Sequence, residues 1–325
     1  MLYRRLTTDG TIGEPRGKPD PAFALPSAAN WMRALRLVSI GQGLDFHAAT
    51  RFYAAAGIGP RAMPAQEENT VIEQLFLALH HSSALQALAA TGQDTEFGRL
   101  GVLGWYHGLA NAAAAMTAAQ SGGFHEDHAS AHRAWDAAIA APGLAMEPFG
   151  WRVPNLLGTT IATEAVALRG ASGGDLQHPP GSVPDARGIA AQYLSGSAKW
   201  YAGRVEDKLL ASPVFRAEGL TSFRTKAARA LRDQALAARG IGFMHQADRY
   251  RGKASYREAL FLAYGSQPAV LLKGFLDDQA HVLQAFVAMA GAFAAARLGP
   301  AVWAQFLEDA DTRRAFALSP RAVWV

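Results

Sequence analysis

The sequence predicts an all-α protein, and three observations carry that prediction. Alanine, which loses no side-chain entropy on entering a helix, recurs through most of the 325 residues. Apolar residues repeat at helical spacings, as at Val71, Leu75 and Leu79 and again at Leu85 and Leu88. No stretch of useful length alternates apolar with polar residues, so strands should be few. Half of the residues are hydrophobic and 18% are charged, which supports a sizeable core and argues against general disorder.

The elements follow in order. Residues 1–26 read as an extended arm, because Asp9 to Pro26 holds four prolines and three glycines. Ser27 can cap a helix that runs to about Ile40. Helices are predicted over Leu44 to Ala56, from Pro64 onward, over Thr95 to Gln120 and over Glu126 to Ala141. Pro142 to Pro154 is irregular, with three prolines and two glycines. The clearest linker is 170–188, where Gly173, Gly174, Pro179, Pro180, Gly181 and Pro184 cannot sustain a helix. After it come helices over Ile189 to about Leu210, Thr221 to about Arg249, Tyr256 to Tyr264, Val270 to Leu298 and Pro300 to Phe306. The layout is two unequal helical bundles, 27–169 and 189–325, joined by that Gly/Pro-rich segment.

Composition excludes some chemistry. With no cysteine there is no disulfide, thiolate metal site or cysteine nucleophile. The first 24 residues contain no apolar run of a secretory signal, and Phe286 to Leu298 is too short to span a bilayer. A cytoplasmic protein with no membrane partner is expected. There is no phosphate-binding loop or dinucleotide fingerprint, and no cofactor is expected. The Gly-x-Ser-x-Gly match at 170–174 lacks the strand that a nucleophile elbow needs before Ser172.

The charge is local. From Arg224 to Arg257 nine basic residues face only Asp233 and Asp248, so this segment carries +7 of a chain whose net charge is +4. Such a strip suits a phosphate-bearing partner, with Arg232, Arg249, Arg251 and Lys253 as the binding candidates; the alternative is a solvated helix face.

Three constellations could carry chemistry. His125, His128, His132 and Asp136 are spaced three, four and four, which on one helix puts imidazoles and a carboxylate on one face as possible zinc or iron ligands. The other reading is a polar first turn that suits the helix dipole. Tyr106, His107 and Asn111 form a polar group on a helix otherwise made of Ala, Leu and Met, either a hydrogen-bonded core group or a pocket lining. Arg239 and His245 could cleave RNA, histidine moving the proton and arginine holding the phosphate. Their six-residue spacing leaves them about 120° apart on a straight helix, unless Gly240 and Gly242 kink it.

Gly104-Trp105-Tyr106-His107-Gly108-Leu109-Ala110-Asn111-Ala112-Ala113 resembles the tyrosine-bearing core helix of HEPN-domain proteins, and Arg251-Gly252-Lys253-Ala254-Ser255-Tyr256-Arg257 is similar to a later HEPN segment. With the surrounding helices the resemblance covers about a quarter of the chain. It implies that the bundles are HEPN-like, in a family of bacterial toxin and antiphage (antiviral defence) systems. Many members are metal-independent endoribonucleases, and others bind nucleotides or partner proteins. The family's arginine, four to six residues and histidine fit Arg239 and His245, with Gly240 where a polar residue is usual. HEPN active sites usually form across a dimer, so the resemblance implies self-association, a partner protein, or pairing with the chain's own first half. Beside an RNA- or nucleotide-handling protein stand two other readings: a non-enzymatic helical scaffold whose basic strip docks an acidic partner, and a metalloprotein using the His125 face.

Overall fold

The computed structural model describes residues 21–255, 259–263 and 268–325. Among them the chain is all-α: helices with no strand, apart from one isolated antiparallel bridge between Val153 and Ile241. The first four helices are α1 (Pro21–Gly41), α2 (Phe46–Ala55), α3 (Ala65–Ala89) and α4 (Asp94–Ser121). Next, α5 (His128–Trp135) runs into a π-helical turn over Asp136–Ala140. There follow α6 (Gly158–Arg169), α7 (Val183–Leu210), α8 (Pro213–Ala217), α9 (Lys226–Ala237) and α10 (Phe243–Ser255). The chain ends with α11 (Leu260–Ala263), α12 (Pro268–Leu271), α13 (Phe275–Leu298), α14 (Pro300–Arg313) and α15 (Arg321–Trp324).

Helix starts follow capping chemistry. The side chains of Asp45, Asp127, Ser182 and Thr225 each accept the backbone N–H three residues on. Starts differ from expectation in two places: α7 begins at Val183, inside the segment expected to sustain no helix, with Pro184 tolerated in its first turn, and α1 crosses Pro26 instead of beginning at Ser27. Burial of Ala24 and Leu25 holds that first stretch helical, and the Ser27 hydroxyl donates back to the Ala24 carbonyl rather than capping. Residues 1–20 of the expected arm lie outside the described residues, as does most of the segment 256–267.

Two predicted helices are broken. The one expected over Thr221 to Arg249 stops at Ala237, because Gly240 and Gly242 serve close approach. A Cβ on Gly240 would lie 2.8 Å from the Val153 and Pro154 carbonyl oxygens, and one on Gly242 would lie 2.5 Å from Asp136 Oδ1. The intervening Ile241 exchanges backbone hydrogen bonds of 2.8 and 3.0 Å with Val153. The helix expected from Val270 breaks at Gly274, which takes a left-handed φ of 75°. There the Asp94 carboxylate accepts from the N–H groups of Gly274 and Leu276 at 2.8 and 2.9 Å, capping α13 from the start of α4.

The expected division at 170–188 does not separate two cores. α13 lies against α1, α2, α3 and α4, and a single hydrophobic core runs from Ala24 to Trp324. α4 admits α13 through small residues, since a Cβ on Gly101 would lie 2.2 Å from Gln279 Oε1 and one on Gly108 would lie 2.7 Å from the Leu283 side chain. The 170–182 loop packs inward: Leu176 is buried, its N–H donates to Gln192 Oε1 at 2.8 Å, and its carbonyl accepts from Asn30 at 3.0 Å. At 24 residues α13 is long and apolar enough to cross a membrane, unlike the shorter stretch read from the sequence, but most of it is buried among the neighbouring helices.

Candidate functional site

α10 separates two polar regions. Arg249 and Lys253, four residues apart, line a cavity on one side of this helix, while His245 and Arg251 meet aromatic and imidazole side chains on another, with Asp248 beside Arg251. The cavity, of about 230 Å³, is shared with α1, α7 and the 170–182 loop. Its polar lining includes Ser27, Gln192 and Ser195, and three cations converge on it: Lys199, Arg249 and Lys253. Among the described residues, none that lines it is acidic. Lys199 is exposed at the mouth, whereas Lys253 is only 8% exposed and donates to Ser27 Oγ at 3.4 Å. Arg249 is held from two directions. Its Nη1 donates to Ser197 Oγ at 3.0 Å, and its guanidinium lies 5.6 Å from the Tyr193 ring and 5.8 Å from the Trp200 ring. Tyr193 is anchored in turn by stacking on Trp31 at 4.1 Å.

The second side faces a cluster of imidazoles and phenols drawn from several helices. Tyr106 of α4 is fully buried, and its hydroxyl is 3.1 Å from His132 Nε2 of α5. The Arg251 guanidinium covers the Tyr106 ring at 4.8 Å. Arg251 Nη2 lies 2.9 Å from Asp248 Oδ1, but off the hydrogen-bonding direction, so that oxygen and the buried Arg251 Nε have no hydrogen-bond partner among the described residues. The His245 ring lies 5.6 Å from the rings of both His132 and Tyr201. The Gly242 N–H donates to His245 Nδ1 at 3.3 Å, which requires that nitrogen to be unprotonated. Toward the surface the row continues from His132 to His128 at 6.1 Å, to His107 at 6.5 Å and to His81 at 6.0 Å.

This packing favours neutral groups. Burial, reinforced by His245 and His128, lowers the His132 pKa to about 3. Burial also lowers His245, against the pull of Asp136 and Asp248. His107 and His81 are lowered by partial burial and then by neighbouring imidazoles. The phenols of Tyr106 and Tyr201 are pushed up by burial and then by the Asp248 carboxylate.

The structure sorts the sequence candidates. Arg249 and Lys253 come together at the cavity. Arg251 belongs instead with Tyr106 and Asp248. Arg232 lies apart, 2.8 Å from Asp233 and 3.9 Å from Glu206. Arg239 and His245 do not share a helix: Arg239 is exposed on the connection before α10, whereas His245 is buried, and the charges acting most strongly on it are Asp136, Asp248, Arg133 and Arg152. Tyr106 is a hydrogen-bonded core residue, His107 beside it is exposed, and Asn111 is half-buried one turn on.

The four-residue metal face is not assembled. α5 begins at His128, which leaves His125 exposed in the preceding loop, and Asp136 is gripped by Arg152 at 2.8 and 3.3 Å. Among the described residues no group of three or more histidine or acidic side chains is placed to hold a metal ion. Sequence reasoning missed Lys199, Trp200, Tyr201, His81 and Arg152. For the first three, the run Lys199-Trp200-Tyr201 with Arg204 one turn later was the available signal. Compared with known proteins, the chain matches no family model, no curated protein and no solved structure.

Proposed function

We propose that this protein binds a phosphate-bearing ligand, a nucleotide or an RNA, in the cavity between α1, α7 and α10. One observation carries the reading: Lys199, Arg249 and Lys253 converge on a pocket whose lining, among the described residues, contains no acid. Phosphate oxygens are the ligand atoms such a set is suited to, Arg249 by its planar fork and the lysines as point charges. Serine hydroxyls and the Gln192 amide add hydrogen bonds without opposing charge. In this reading the chain is a cytoplasmic HEPN-like protein of a bacterial defence or toxin system. Residues 104–113 of the resembling segments lie on α4, and 251–255 close α10.

Binding is better supported than cleavage by Arg239 and His245, because those two side chains occupy different environments. Calorimetry with ATP and with a short single-stranded RNA tests the proposal. Wild type should bind, and Lys199→Ala and Arg249→Ala should each weaken binding by roughly tenfold, the loss expected for one charge-assisted contact of about 1.5 kcal/mol. Affinity should fall with salt, by a slope of about 0.7 per phosphate neutralised in a single strand. Wild-type protein that binds neither ligand overturns the proposal. RNA left intact in EDTA by wild type, with His245→Ala indistinguishable from it, would remove the ribonuclease form alone.

A further inference from the structure

The surface at the mouth of the cavity says which kind of phosphate fits. Trp200, directly after Lys199, is 41% exposed. Arg204, also exposed, follows it by four residues, so the two share a face of α7 about 6 Å apart along the axis. The Arg204 guanidinium lies 5.0 Å from the Trp200 ring, and Arg249, which lines the cavity, lies 5.8 Å from the same ring. The ring thus lies between the charge in the cavity and a second charge on the rim, and a base that stacks on it takes the place of the Arg204 guanidinium. One helical turn beyond, exposed Asp207 offsets exposed Lys208 and ends the basic track.

Depth adds the second constraint. Lys253 and Ser27 are buried, with 8% and 1% of their surface exposed, while Lys199 is at the mouth. Such burial favours a phosphate with one substituent, directed toward the mouth. An internal phosphodiester carries two.

We infer that the cavity takes the terminal phosphate of a single-stranded nucleic acid, with the first base stacked on Trp200 and the next phosphate on Arg204. This rests on the phosphate-binding reading above and narrows its ligand. Base–aromatic stacking tolerates any base, so the site should prefer an end over a sequence. Duplex ends, whose bases are already stacked and paired, should bind poorly.

The test uses fluorescence anisotropy with one octaribonucleotide in four forms: 5′-phosphate, 3′-phosphate, both ends hydroxyl, and 5′-phosphate annealed to its complement. One phosphorylated single strand should bind at least about tenfold tighter than the hydroxyl form, and the two phosphorylated arms show which end enters. Trp200→Ala should lose about tenfold toward that strand, in line with the value of one stacked base, and Trp200→Phe should recover most of it. Competition by inorganic phosphate should be unchanged in Trp200→Ala. Equal binding of phosphate and hydroxyl ends, or an unaltered affinity in Trp200→Ala, overturns the inference while leaving phosphate binding in place. Loss of all binding by wild type, inorganic phosphate included, is instead the failure of the cavity reading itself.

Discussion

Lowering the pH from 7 to 5 is expected to destabilise this protein by about 2 kcal/mol through His132 alone. His132 is 3% exposed and its pKa is lowered to about 3, against an ordinary value of 6.5. A base whose pKa is lowered by folding binds its proton more readily in the unfolded chain. Its contribution to stability is therefore complete above pH 6.5 and shrinks as the pH falls toward 3. Each pH unit in that window removes about 1.4 kcal/mol per histidine that the fold keeps neutral. His245 is 9% exposed and shifted in the same direction, so it adds to the slope; the more accessible His107 and His81 add less. Asp278, whose carboxyl is raised by burial against the hydrogen bonds of Arg36 and Arg33, acts in the opposite sense and offsets part of it. Urea midpoints at pH 7, 6 and 5 measure the effect. His132→Gln, whose amide can still meet the Tyr106 hydroxyl, should be less stable at pH 7 but should show a shallower fall. Wild-type midpoints that do not move between pH 7 and pH 5 would sink the prediction, as would a His132 ring that NMR finds protonated at pH 6. Because α10 carries both His245 and the cavity residues Arg249 and Lys253, ligand affinity should decline over the same range.

The class of the fold was legible because it rests on local properties. Alanine content and spacings of three and four are written into each helix separately, and caps such as Asp45 and Thr225 act within three residues. The breaks were misread where glycine had two uses. At Gly274 a left-handed turn ends a helix, which a sequence pattern can suggest. At Gly240 and Gly242 the missing Cβ makes room for Pro154 and Asp136, residues about a hundred positions away. The single core was hidden for the same reason, since nothing local in α13 says that it packs against α1 to α4. The candidate site was half legible. Arg249 and Lys253 are four apart and could be paired on paper, but Lys199 reaches the cavity from another helix. The histidine row draws its members from α3, α4, α5 and α10, so only the pair His128 and His132 showed in the spacing. The spacing of Asp136 suits a metal ligand, but Arg152, on an irregular stretch, holds both its oxygens.

Trp31→Ala should cost about 3–5 kcal/mol of stability, the usual loss when a buried Trp is truncated. The indole is fully buried and touches four rings: Tyr193 at 4.1 Å, Tyr250 at 4.7 Å, Trp105 at 5.9 Å and Phe243 at 6.3 Å. These rings come from α4, α7 and α10, so Trp31 joins α1 to three other helices of the core. Its Nε1 has no hydrogen-bond partner among the described residues, and the loss is therefore one of packing. Out of a typical total of about 5–15 kcal/mol, this is a large fraction. The same substitution should reach the cavity, because Tyr193 lines it and Tyr250, which donates to the Ala28 carbonyl at 2.9 Å, ties α10 to α1 behind it. Trp31→Phe keeps an aromatic face for Tyr193 and should retain more stability and more ligand affinity than Trp31→Ala. Urea melts and calorimetric titration on the three proteins separate the two roles. A Trp31→Ala protein that loses less than about 1 kcal/mol would show that the surrounding rings close over the gap. Equal losses of stability in both variants, with binding lost only in Trp31→Ala, would show that the stacked Tyr193 is positioned for the ligand rather than for the core.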